Sequence, residues 1–189
     1  MGVYELFILV GRNPCGFDIA KYIDNMTNIR RYFDQGDIVF ITSVTYKRIP
    51  ILIENIDLLR EAIQFVKTKF PVEFIASVVL PDHFHWLIDG KGQNIPYVVK
   101  RIKLKFSGQV RSRYKMKSGR LWQYRYWDRI MRGRKEMNNH IDYIHYNPVK
   151  HRLVASPFDW TYSTIDKYKK IYSEDWGRNE LTFDGEFGE

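Results

Sequence analysis

Residues 72–89, VEFIASVVLPDHFHWLID, hold two strand-forming runs parted only by Leu80-Pro81-Asp82. β-branched and aromatic residues dominate both runs, and so short a connection predicts a β-hairpin. A chain with this hairpin is committed to an antiparallel sheet. Its second strand carries His83 and His85, two residues apart. Side chains on a strand alternate faces, so both imidazoles aim at one side while Phe84 and Trp86 aim at the other. Two neutral imidazoles one strand step apart have the spacing to grip a divalent metal. Two partly buried histidines without a ligand are the alternative at this point.

The remaining elements follow from periodicity. IVFITSVTY, residues 38–46, reads as a strand. In residues 55–70, Ile56, Leu59, Ile63 and Val66 recur at helical spacing, and Pro71 closes the run. Residues 95–115 predict a basic helix with Val98, Ile102 and Phe106 on one face. LWQYRYWDRIMR, residues 121–132, alternates as a fourth strand, and residues 135–147 predict a helix that stops at Pro148. A further amphipathic segment runs over 162–172, before a Gly- and acid-rich tail. The order is strand, helix, strand, strand, helix, strand, helix. That is the split βαβ plan of an α+β, ferredoxin-like or RRM-like domain: an antiparallel sheet with helices mainly on one face. The expected layout is a poorly defined lead-in over 1–30, one domain over 31–177 and a tail over 178–189.

Charge narrows the partners. The net charge is +8 and the pI about 9.5. Residues 100–135 hold fourteen Lys or Arg against one acid, Asp128. So biased a stretch favours polyanion binding, nucleic acid first, over a salt-bridged surface. The single cysteine, Cys15, excludes an internal disulfide and a cysteine-rich zinc site, and fits a reducing cytoplasm. No apolar run has the ~18 residues a membrane span needs. The first residues lack the basic start of a secretory signal.

A second cluster lies on the helix before Pro148, where His140, Tyr143 and Asn147 fall at i, i+3 and i+7 on one stripe. Asn147 could add an oxygen ligand to a metal held by His83 and His85, and Tyr143 could present a phenolate to whatever the metal polarises. Asn before Pro is also an ordinary helix end, and a half-buried Tyr is also ordinary core.

VVLPDHFHWLI, and WQYRYWDRIMR followed by HIDYIHYNPVKH, resemble the two signatures of the REP-associated tyrosine transposases. These are a branch of the single-tyrosine transposases that carry a His-hydrophobic-His (HUH) strand. The resemblance spans roughly residues 29–177. It implies that Tyr143 is the nucleophile and that His83, His85 and Asn147 hold Mg²⁺ or Mn²⁺. It implies a nucleoid-associated enzyme that cleaves single-stranded DNA beside a hairpin through a covalent 5′-phosphotyrosine, acting as a monomer or homodimer. Lys103, Lys105, Arg111, Arg113, Arg125, Arg129 and Arg132 are the expected DNA contacts. Trp122, Tyr124 and Tyr126 offer stacking faces, with Trp122 the best fit to the core. His140 and Asp142 are candidates for orienting the site. Asp82, His145 and His151 receive no role. Metal-binding imidazoles must be neutral, so activity should fall below about pH 6. The rivals are a hairpin-binding protein without catalysis and a metal-dependent hydrolase that uses water in place of Tyr143.

Overall fold

The computed structural model describes residues 38–188. The expected lead-in, with its turn at Asn13-Pro14, lies outside them. Four strands form one antiparallel sheet: β1 Ile38–Val44, β2 Glu73–Val79, β3 His83–Asp89 and β4 Trp127–Ile130. Their spatial order is β2-β3-β1-β4. The hairpin read from residues 72–89 is the β2–β3 pair, with one irregularity between Phe74 and Ala76. Three helices complete the domain: α1 Ile56–Lys67, α2 Ile95–Arg113 and α3 Arg134–Lys150.

Alternation along the strands splits the core in two. Val39, Ile41, Phe84, Trp86 and Ile88 point to one face. There they pack against Leu59, Ile63 and Val66 of α1 and Val98, Ile102 and Phe106 of α2. Ile38, Phe40 and Leu87 point to the other face, against Met137, Ile141, Tyr143 and Ile144 of α3. Two helices therefore share one face, as expected, and α3 has the opposite one. His83 and His85 alternate with Phe84 and Trp86, so they face α3.

The helix ends follow local chemistry. Asn94 caps α2 by accepting the Tyr97 amide at 3.0 Å, with Pro96 in the first turn. Glu136, in the first turn of α3, takes the Arg132 amide at 2.7 Å and pairs with Arg129.

Three expectations need correction. The fourth strand is only Trp127–Ile130, with Trp122 in an isolated bridge to Thr45. The aromatic residues before it do not share a face: Trp122 is buried and bonds Ser107 Oγ through Nε1 at 3.1 Å, while Tyr124 is 86% exposed. Secondly, α3 does not stop before Pro148 but carries it inside its last turn. Proline removes one donor, yet the His151 amide still bonds the Asn147 carbonyl at 3.0 Å and the Leu153 amide that of Pro148 at 2.9 Å. Thirdly, the segment over 162–172 forms only a short 3-10 turn, Ile165–Tyr168. It is pinned to β2 and α3 by hydrogen bonds rather than by an amphipathic stripe.

Candidate active site

Pairing between β3 and β1 sets the first half of the site. The register puts Thr42 opposite His85, and their side chains meet at 2.7 Å between Oγ1 and Nδ1. The Thr42 hydroxyl has one proton, and it goes to the Phe187 carbonyl at 2.6 Å. His85 Nδ1 must then be the donor, which leaves the acceptor lone pair on Nε2. His83 Nδ1 lies 2.6 Å from the Asp82 carboxylate, which only accepts, so His83 has the same tautomer. The two ring centres are 5.0 Å apart and both side chains are buried. Imidazoles with Nδ1–H held by a carboxylate or hydroxyl and Nε2 turned outward are the usual form of a metal-binding pair. The donor set fits a divalent cation.

Asp82 is the residue that sequence reasoning missed. Partial burial alone would raise its carboxyl. Its hydrogen bond to His83 and the Arg48 guanidinium, 3.0 Å away, outweigh that and bring it to about 2. Arg48 comes from the turn after β1, where Lys47 and Arg48 have φ of 55° and 54°. Two adjacent side chains in the left-handed region are strained, and here the strain aims Arg48 at Asp82.

The second half comes from α3. Tyr143 is buried, with its ring centre 5.3 Å from that of His85. Its hydroxyl accepts a hydrogen bond from Lys150 Nζ at 3.0 Å, and the same ammonium lies 4.8 Å from the ring centre. Asn147, one turn after Tyr143, is fully buried. His151 caps the helix, its ring centre 5.0 Å from that of His83. The C-terminal tail closes the site. Phe187 stacks on Tyr143 at 3.7 Å, with Phe183 edge-on at 5.5 Å. Trp127, Tyr143, Lys150, Glu186, Phe187 and Gly188 line an open cavity of about 360 Å³.

The remaining candidates lie elsewhere. Burial pushes the His140 imidazole down, and its Nδ1 lies 2.8 Å from the Glu136 carbonyl within its own helix. Asp142 turns toward Tyr172, whose hydroxyl donates to it at 2.7 Å. His145 is fully buried between Tyr172 at 3.1 Å and Thr164 at 3.0 Å, and burial pushes it down to about 3. Four expected DNA contacts sit on α2, on the sheet face away from Tyr143. Each has a protein partner: Lys103 with Ser43, Lys105 with Glu61, Arg111 with the Gly119 carbonyl, Arg113 with Asp57. Burial pushes the Lys103 ammonium down to about 8, and it lies 4.9 Å from the Trp122 ring centre. Arg129 joins Glu136, while Arg125 and Arg132 are exposed beside β4.

The chain is similar to known proteins along most of its length. The model of the IS200-like transposase family matches residues 35–147. A Haemophilus influenzae chain provisionally named a REP-associated tyrosine transposase is 35% identical over 167 residues, covering 82% of this chain and 95% of its own. The Escherichia coli K12 REP-associated tyrosine transposase is 32% identical over 163 residues, covering 84% of this chain and 95% of its own. A solved structure of a REP-associated tyrosine transposase bound to a REP hairpin is similar with a TM-score of 0.70 and 31% identity. That likeness covers 82% of this chain and 92% of the other.

Proposed function

The chain belongs to the REP-associated tyrosine transposases, DNA-cleaving enzymes of the IS200-like family, and from that premise we propose that it cuts single-stranded DNA beside a repeat hairpin with Tyr143 as nucleophile. The observation that carries this reading is the position of the Tyr143 hydroxyl. It accepts a hydrogen bond from Lys150 at 3.0 Å, and its ring lies against that of His85.

The chemistry balances within these residues. The Tyr143 oxygen attacks the scissile phosphorus, an O–P bond forms, and the P–O3′ bond breaks. The protein keeps a 5′-phosphotyrosine and the departing strand a 3′-OH. Because the phosphodiester bond energy is retained, a 3′-OH can later attack the phosphotyrosine and rejoin the strand without ATP. The Lys150 ammonium stabilises negative charge on the phenol oxygen as its proton leaves. His83 and His85, through Nε2, and Asn147 would hold Mg²⁺ or Mn²⁺. A divalent ion bound there polarises the phosphate and offsets charge developing on its oxygens. Asp82 and Thr42 keep both imidazoles in the ligating tautomer.

For the hairpin we assign phosphate contact to the exposed Arg125 and Arg132, which flank β4 on the Tyr143 side of the fold. The α2 cations are committed to protein partners. The likeness to a relative bound to a REP hairpin supports a structured single strand as substrate.

The decisive experiment is a gel assay for a covalent protein–DNA adduct. It uses end-labelled hairpin strands with Mn²⁺, with EDTA and with Tyr143→Phe. We expect a metal-dependent adduct that the variant does not form. Cleavage that persists in Tyr143→Phe would replace the tyrosine mechanism with hydrolysis by water. Tight hairpin binding without cleavage would leave a binding protein.

A further inference from the structure

We infer that His151 is a further ligand of the metal site, a third imidazole that joins His83 and His85. The inference rests on the reading of those two histidines as a metal pair.

The first argument is helical register. Tyr143, Asn147 and His151 stand at i, i+4 and i+8. Residues four apart share a helix face, and two ligands at i and i+4 on one helix are a recurrent way to hold a single ion. The stripe reaches His151 only because α3 runs through Pro148. The backbone at His151 is still close to helical, with φ −84° and ψ 7°, and its amide bonds the Asn147 carbonyl. One face of α3 thus presents the nucleophile, an amide and an imidazole in successive turns toward β3.

The second argument is distance. A metal–nitrogen bond of ~2.1 Å puts an imidazole centre about 3.2 Å from the ion, so two imidazoles at neighbouring coordination positions have centres roughly 4.5–5.3 Å apart. His83–His85 and His83–His151 both measure 5.0 Å. Among the described residues, no three His, Cys, Asp or Glu are already gathered into a metal cage. The ring of His151 must therefore turn inward on loading. It sits exposed at the helix end, where rotation about its side-chain bonds meets little packing.

A third imidazole changes which ion the site prefers. Two imidazoles and an amide oxygen suit Mg²⁺ poorly, and a third nitrogen moves the balance further toward first-row transition ions.

The test loads the full chain with metal and counts nitrogens. Pulsed EPR on the Mn²⁺-loaded protein should detect three imidazole nitrogens in the native chain and two in His151→Ala. Calorimetric titration should show His151→Ala binding Co²⁺ at least about tenfold more weakly. The variant removes an exposed ring, so its thermal melting should match that of the native chain. An unchanged nitrogen number overturns the inference, whatever happens to affinity. A His83→Ala/His85→Ala double variant separates the two levels. If it binds Mn²⁺ as the native chain does, the histidine pair itself is not the metal site.

Discussion

Asp82 shows how one side chain can set the chemistry of its neighbour. It fixes the proton on His83 Nδ1, and Arg48 holds it in place from a strained turn. Removing such a carboxylate from a metal-binding imidazole costs about 10–100-fold in metal affinity. We therefore expect Asp82→Ala to lose at least tenfold in Mn²⁺ affinity by calorimetry, with Asp82→Asn between it and the native chain because its amide oxygen still accepts the proton. Equal affinity in all three would show that His83 needs no orienting partner. Little of this was readable in the sequence. A residue between Pro81 and a strand looks like turn chemistry, and Arg48 lies 34 positions away. Only the strand register brings Thr42 to His85, 43 positions apart. The two histidines and Tyr143 were readable because alternation and helical spacing are local properties.

At the scale of elements, α3 carries both the readable and the unreadable parts of the site. Its stripe of Tyr143 and Asn147 follows from helical spacing. Its length does not, since a proline in a last turn costs one hydrogen bond and the following turn supplies others. Nor does periodicity say which face of the sheet a helix covers. The cations of α2 were legible as a basic stretch, but the helix lies on the face opposite Tyr143, so Lys103, Lys105, Arg111 and Arg113 moved away from the reacting groups. The far side of α3 holds a buried chain of hydrogen bonds, Asp142–Tyr172–His145–Thr164. His145 is held neutral, with a pKa of about 3 against 6.5 when unfolded. Between those values the unfolded chain binds a proton that the folded chain refuses, so stability falls as pH falls from about 6.5. The slope from this one group is about 1.4 kcal/mol per pH unit. We expect urea denaturation midpoints to drop from pH 7 to pH 5 in the native chain. The drop should be smaller in His145→Gln, although that variant starts less stable. Parallel losses in both proteins would assign the acid sensitivity to other groups.

The whole molecule keeps its nucleophile covered. Phe183 and Phe187 come from the last residues of the chain, yet Phe187 lies flat on Tyr143 and its carbonyl takes the Thr42 proton. Burying a phenylalanine is worth about 1.5–3 kcal/mol, so a strand that reaches Tyr143 must displace a comparable contact. Ending the chain after residue 182, or replacing Phe187 with Ala, should speed adduct formation about tenfold at limiting hairpin concentration. The rate of adduct formation checks this, and equal rates would mean that the tail leaves the site before DNA arrives.

The outer edge of β2 is also occupied. The Val79 amide bonds the Tyr162 carbonyl at 2.8 Å, and the Thr164 amide bonds the Ser77 carbonyl at 2.9 Å. Val78 and Ser163 form the bridge between them. An edge strand with unpaired amides is a template for strand addition, and this one is already filled from within the chain. To stack its sheet onto this edge, a second copy would first have to peel residues 162–164 away. That would tear Thr164 from His145 and open the buried network behind α3, so sheet-to-sheet aggregation along β2 starts with the cost of partial unfolding.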